Sequence, residues 1–479
     1  MSPTVRFVRP ATTLTPETVA LAPSDQFIIR NFVSTILCFK LDIDASIEEV
    51  ITNLHHGLAN TLVELPFLAG TLVPESEERC TKQVNIPEDA GVEFKVNDMR
   101  HKSGGPLYNF DELIKCGVPP SVLDFEILVH GTLIPGLEPA CLTLQANFIQ
   151  GGLLLAFHMH HAVMDGSGLF SLFQCLAKHT AAISRAQIIS SCDLIQDECL
   201  DRTVLFSGPA LRQMIDYPGF RPAQEHTWAA KADASKLMAR LLAQSKDLAA
   251  KRVNKSWWII RPDQLRKLQE EMTSTERNSI KMSLNSTLSA LFWRHISLAR
   301  KMDESKVEYS GLTTVCDFRS RLDPPLPPGY VGNALMFARA SLLVTELCSD
   351  EPNTLYKIAQ SISESVNWWD SERIQAFLGA AEGTDMRSVE WDSDTHFGPD
   401  VQVTSTLSAS SPYSIDWGQQ LGNMQALRFP TGAFYDGFVT VLPRLPDGSI
   451  EFVLNCGSDV FTELKADKEF TRYASFLCC

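Results

Sequence analysis

Apolar positions along this chain alternate between a two-residue rhythm and a three-to-four-residue rhythm, which predicts strands and helices interleaved from end to end. Residues 26–42 are rich in β-branched and aromatic side chains and predict a strand. Residues 46–63 carry Ile47, Val50, Ile51, Leu54, Leu58 and Leu62 at helical spacing. Ser46 followed by Glu49 reads as a capping box at the start of that helix. Pro66 ends it, and residues 70–73 begin a short strand. Residues 141–157 read as two strands joined at Gly151-Gly152. Residues 167–178 predict a helix with Leu169, Phe170, Leu172, Phe173 and Leu176 as its apolar stripe.

Residues 190–250 have the weakest pattern, with a helix expected at 230–249, and read as a crossover. The second half resumes the mixed style. It predicts a strand at 256–261, helices at 263–272 and 286–302, and a strand at 309–316. A proline-rich loop runs from Pro324 to Gly329. Strands are expected at 334–343, 400–408, 437–443 and 449–456, and a last helix at 459–477. No fixed-period repeat occurs. Interspersed strands and helices imply α/β layers. A chain of 479 residues exceeds what one core usually holds. The expected division is 1–205, a linker at 206–250, and 251–479.

Composition narrows the function classes. A hydrophobic content of 44% and a charged content of 21% place the chain among globular proteins. A net charge of −15 without a basic face argues against nucleic acid as a partner. Twelve cysteines are scattered without paired CxxC motifs, which fits reduced thiols in an intracellular protein. The final Cys478-Cys479 does not match the prenylation box. The first residues do not read as a signal peptide, and no apolar run is long enough to span a membrane. A cytoplasmic protein is expected.

The strongest chemical signal is Phe157-His158-Met159-His160-His161-Ala162-Val163-Met164-Asp165-Gly166. An apolar strand runs into histidines, and a helix follows. Such a turn presents a side chain to a cavity from a rigid base. Histidine takes a proton near neutral pH. Side chains alternate along a strand, so His160 and His161 do not both face one cavity if the strand continues through them. Taken alone, a histidine at a strand end is more often a hydrogen-bonded core or surface residue than a base. His158 and His160 share a strand face and have the chemistry of zinc ligands, although no third or fourth ligand is evident. Asp165 also suits a helix N-cap.

HHAVMDG resembles the HHxxxDG signature of the coenzyme A-dependent acyltransferase superfamily. That group includes chloramphenicol acetyltransferases, peptide-synthetase condensation domains and the BAHD acyltransferases. Further segments resemble the BAHD branch: LPFLAGTL at 65–72, LNSTLSALFWRHISLAR at 284–300, DFRSRLDPPLPPGYVGN at 317–333, and VTSTLSASSPYSIDWG at 403–418. The tail DGFVTVLPRLPDGSIEFVLNCGSD fits as well. The resemblance covers nearly the whole chain and is similar to the fungal secondary-metabolite branch, which includes trichothecene acetyltransferases. It implies two chloramphenicol-acetyltransferase-like domains of mixed sheet flanked by helices, with a tunnel between them. The second family motif departs from Asp-Phe-Gly-Trp-Gly and reads Asp416-Trp417-Gly418-Gln419-Gln420.

The resemblance also implies roles. The catalytic set is His161, Asp165 and Thr404, with His161 as general base and Thr404 as donor to the oxyanion. Asp165 points away from substrate and pairs with an arginine, for which Arg319 is the match. Gly166, Arg319, Asp416, Trp417 and Gly418 support the site. Lys281, Ser283 and Ser286 are candidate contacts to the coenzyme. The co-substrate is acyl-coenzyme A with acetyl as the default group, the acceptor a small-molecule alcohol or amine, and no metal is needed. A monomer is expected. No Gly-x-Ser-x-Gly elbow for a serine nucleophile is present. Competing readings are a condensation-type domain fed by a carrier protein, a degenerate small-molecule binder, and a metalloprotein.

Overall fold

The computed structural model describes residues 3–42, 44–133, 138–187, 194–208, 210, 212–224, 252–272, 282–395, 397–431 and 435–479, with 243, 246, 247, 249 and 250. The helix expected at 230–249 therefore lies almost wholly outside the described residues.

Two mixed sheets dominate. The first has the spatial order Thr4–Val8, Val92–Asp98, Leu142–Ile149, Gly152–His160, Phe32–Lys40 and Ala426–Arg428. The second runs Leu335–Leu343, Tyr309–Asp317, Val401–Ser405, Phe438–Val441, Ile450–Cys456, Asn254–Ile260 and Ser475–Cys478. This is the α/β architecture expected from the interleaved pattern.

The Gly152–His160 strand is buried along its whole length, as a central strand covered on both faces should be. Leu153, Leu155, Phe157 and Met159 pack in one core cluster with Leu54, Leu58 and Leu62 of the Ile47–Glu64 helix and Leu172, Phe173 and Leu176 of the Gly166–Ser184 helix. Leu154 and Ala156 face the other way, beneath the segment containing Leu113, Leu123 and Phe125. The hairpin turns at Gly151, whose φ of +73° explains a glycine there. On the second sheet, the Leu284–Ala299 and Thr354–Asn367 helices pack over Phe452, Val439 and Val403.

Several elements differ from expectation. The 26–42 strand begins only at Phe32, because Pro23–Gln26 forms a helical turn. There the Asp25 carboxylate accepts from Ala22 N at 2.8 Å. The last helix is broken: Ser458–Ala466 and Lys468–Tyr473 are separate, and Ser475–Cys478 is a strand paired with Asn254–Ile260. Asp467 is the reason, since its Oδ1 caps the Glu469 and Phe470 amides. The stretch between 348 and 395 supplies two helices, Thr354–Asn367 and Ser371–Glu382, to which sequence reasoning assigned nothing.

The sheets are linked by more than contact. The Ala426–Arg428 strand leaves the second half to pair antiparallel with Phe32–Lys40 of the first sheet. Its Arg428 donates to both carboxylate oxygens of Glu451 in the second sheet, at 2.7 and 3.0 Å. The guanidinium also lies 4.4 Å over the Trp257 ring. Both partners are buried. Arg428→Met would strand a carboxylate in the interior and should cost about 3–5 kcal/mol. Urea unfolding measures this; a loss below about 1 kcal/mol would show that the bridge does not hold the halves together.

Candidate active site

The Gly152–His160 strand ends where His161–Val163 makes a single 3-10 turn. The Gly166–Ser184 helix starts immediately after, N-capped by Asp165, whose Oδ1 accepts from Gly168 N at 3.0 Å. Gly168 has no room for a side chain, since a Cβ would collide with the Val331 carbonyl. The proline-rich loop therefore lies directly against the first turn of this helix.

Asp165 is fully buried, and Arg319, just ahead of that loop in the chain, grips it. Arg319 Nη1 lies 2.9 Å from Asp165 Oδ2, and Nη2 donates to Oδ1 at 2.9 Å. The remaining N–H groups of Arg319 reach the carbonyls of Tyr330 and Gly332 and the Asp317 carboxylate. Asp165 Oδ2 also accepts from Ala334 N at 3.0 Å. Every lone pair and proton of this pair is thus engaged, which a buried ion pair requires.

A second buried pair stands beside it and was not foreseen. Asp25 Oδ2 receives Arg202 Nη1 at 2.5 Å, and Arg202 Nη2 donates to the Val163 carbonyl at 2.6 Å. Asp25 Oδ1 accepts from the backbone and side-chain nitrogens of Asn333. Asn333 Nδ2 in turn donates to the His161 carbonyl at 3.0 Å. The His161 amide donates to Asn31 O at 2.9 Å. The backbone of His161 is therefore held on both sides.

The imidazole itself lines a cavity of about 610 Å³, well within the range of small-molecule sites. His161 is half-buried, and its exposed surface faces this cavity. Burial lowers its pKa below the ordinary histidine range; its own backbone, Asp165, Asn333 and Asp25 oppose that shift without cancelling it. The ring is thus neutral at pH 7 and competent as a base.

The same cavity is lined by Gly166, Thr404, Ser283 and Ser286. Thr404 comes from the Val401–Ser405 strand, with Thr440 as its register partner on the next strand. Ser283 caps the Leu284–Ala299 helix by accepting from Ser286 N at 3.0 Å. Asn285 Oδ1 accepts from Ser405 Oγ at 2.8 Å, tying this helix end to the Thr404 strand. Lys281 lies outside the described residues.

Asp416, Trp417 and Gly418 do not reach the cavity wall. Trp417 sits in the core of the first half, 5.2 Å from the Phe39 ring. Asp416 pairs with Arg185 at 2.6 Å, just past the end of the Gly166–Ser184 helix. The Gly418 amide first, and Arg185 with it, hold the Asp416 carboxyl below its usual range. Gly418 has φ +101°, and a side chain there would strike Ser184 Oγ. This loop braces the far end of the helix that Asp165 starts.

His158 lines the cavity and is bonded through Nδ1 to Ser34 Oγ at 2.8 Å; burial pushes it down to about 4. His160 Nδ1 accepts from Ala162 N, and burial pushes it to about 3. Each ring already uses one nitrogen inside the fold. Among the described residues, the group with metal-ligand spacing is instead Glu64, Cys175 and His179. There Glu64 is engaged by His179 at 2.6 Å and by the Leu194 and Ile195 amides, and burial pushes the Cys175 thiol up to about 12. These contacts already satisfy the Glu64 carboxylate.

The model of the Transferase family matches residues 4–469. Acyltransferase cm3D of Cordyceps militaris is 29% identical over 96% of this chain and 97% of its own. Eremophilane O-acetyltransferase prx11 of Penicillium rubens is 26% identical over 94% of this chain and 97% of its own. Among solved structures, F. graminearum TRI101 complexed with coenzyme A and T-2 mycotoxin superposes with a TM-score of 0.79 at 18% identity, covering 96% of this chain and all of that one.

Asp165→Asn weakens the ion pair while keeping the shape. It should cost about 3–5 kcal/mol of stability and lower activity per folded molecule. Urea titration of the purified variant checks this; unchanged stability would show that Asp165 is not what holds the turn.

Proposed function

The chain belongs to the Transferase family, and from that membership we propose that it moves an acyl group from acyl-coenzyme A to a hydroxyl or amine of a small-molecule secondary metabolite, with His161 as general base. It is an acyltransferase, as its fungal relatives are. The observation that carries the reading is the neutral His161 imidazole, fixed at its backbone and facing a cavity lined from both halves of the chain.

In this reading His161 takes the acceptor proton as the acceptor oxygen or nitrogen attacks the thioester carbonyl. The tetrahedral intermediate places negative charge on the former carbonyl oxygen, and the Thr404 hydroxyl donates to it. Collapse expels the coenzyme thiolate, which recovers the proton from His161. No acyl-enzyme forms. Asp165 and Arg319 act only by holding the turn, with Gly166 leaving the helix start open and the Asp416–Gly418 loop bracing its other end. The Leu284–Ala299 helix points its N-terminus and Ser283 and Ser286 at the cavity, a fit for the coenzyme's phosphates. Lys281, two residues before that cap, is assigned to the same contact.

Among the described residues no helix is long and apolar enough to cross a membrane. The reading includes a cytoplasmic monomer using acetyl as its acyl group, divided at 1–205, 206–250 and 251–479.

The test is acetyl-coenzyme A with a panel of hydroxylated natural products, followed by thiol release. His161→Ala should reduce acceptor-dependent release by about 10²–10⁴-fold; unchanged release from a folded variant would remove His161 from the chemistry. Because the base works only when neutral, and its pKa is lowered, kcat/KM should rise with pH through a value below the ordinary histidine pKa of about 6.5 and then stay level. A midpoint above that value would contradict the assignment. Thr404→Val should lower kcat by about 10²–10³-fold with little change in KM, and a raised KM with kcat unchanged would mark Thr404 as a binding residue instead.

A further inference from the structure

The cavity extends well beyond His161 and Thr404 across the face of the second sheet. Lys255 pairs in register with Asn455, Asn455 with Phe438, and Phe438 with Gln402. All four line the cavity. The Asn254–Ile260 strand is three places from the Thr404 strand in the sheet order. At about 4.8 Å per strand, and two residues along, Lys255 and Thr404 are separated by roughly 16 Å.

Lys255 is unusual in its surroundings. Its ammonium donates to the Pro430 carbonyl. Among the described residues it makes no ion pair, and burial is the one influence on its pKa, lowering it to about 7. A lysine offers three donors, so two remain for the cavity. An unpaired ammonium in a low-dielectric wall is costly. The other charges lining the cavity are already placed. Asp165 and Asp317 share Arg319. Arg321 donates to the Val366 and Trp369 carbonyls, at the C-terminal end of the Thr354–Asn367 helix, where a cation is favoured. Lys255 has no such helix end. Asn455, its register partner, lines the same corner of the cavity and carries an amide able to donate there. Between this corner and Thr404 the wall carries Phe438, Val453 and Leu442, with Thr440 and Gln402 as its polar members.

We propose that Lys255 and Asn455 form a carboxylate-binding subsite, so that the substrate carries its reacting group at His161 and a carboxylate at the far end of an apolar spacer. The location of the reacting group rests on the acyl-transfer reading above. The carboxylate belongs to the acceptor or to the far end of the acyl group, and two matched pairs of probes separate these sources. The acceptor pair is ω-hydroxylaurate and its diol counterpart, the same chain with CH2OH in place of the carboxylate. The donor pair is sebacoyl-coenzyme A and decanoyl-coenzyme A.

Equilibrium binding to the full chain is measured by calorimetry for wild type, Lys255→Met and Lys255→Arg, with thermal melting to establish that each is folded. Wild type should bind the carboxylate member of one pair at least about ten-fold more tightly than its neutral counterpart, the strength of a charged hydrogen bond. Lys255→Met should abolish that preference and Lys255→Arg retain it. Preference within the acceptor pair assigns the carboxylate to the acceptor, and preference within the donor pair assigns it to the acyl group. Equal affinities within both pairs for wild type overturn the subsite, as does a preference that survives in Lys255→Met. The wild-type comparison stands even if a variant misfolds. Binding is read without turnover, so discrimination by a protein that transfers no acyl group would sink the acyl-transfer reading and leave the subsite intact.

Discussion

The buried pair between Asp165 and Arg319 is the constraint on which the site depends. It joins the strand–helix turn of the first half to the proline-rich loop of the second. A buried ion pair gains little net energy over a hydrophobic contact, but losing one partner is expensive. Its value lies in direction: both oxygens and every guanidinium N–H have fixed partners. Asp25 and Arg202 repeat the device on the other side of the turn, and Asn333 joins Asp25 to the His161 carbonyl. His161 is thereby set by backbone contacts, and its ring is left for the cavity. A side chain placed this way avoids the loss of precision that a loop would bring.

Neither half of the chain builds the cavity alone. The first sheet contributes His161 at a strand end. The second contributes Thr404, the capped helix start at Ser283 and Ser286, and the row that ends at Lys255. The Ala426–Arg428 strand ties the two sheets together by pairing with one and bridging to the other through Glu451. Relative placement of the His161 ring and the Thr404 hydroxyl is then a property of the sheet packing, the precision that the proposed chemistry would need. The Asp416-Trp417-Gly418 loop contributes at a distance, by pinning the helix behind His161.

Much of the first half was legible because its signals are local. The Gly152–His160 strand is a continuous apolar run, and its helix has a clear stripe. The HHAVMDG segment joins them with a residue order that resembles a known family. Ser46 and Ser283 cap helices at the positions their side chains suggest. Failures fall where a side chain overrides propensity. Asp467 broke a helix that spacing predicted as continuous, and Asp25 turned a β-rich segment into a helical corner. The helices Thr354–Asn367 and Ser371–Glu382 were passed over.

By itself the sequence determined the alternation of strands and helices and the histidine turn from which the base is proposed, since each depends on residues within a few positions of one another. Tertiary structure decided which polar residues meet. Asp25 and Arg202 are 177 positions apart, and no local pattern connects them. Asn333 and Lys255 likewise look ordinary in the chain. Their roles come from burial, which removes water as an alternative partner and makes the choice of neighbour matter.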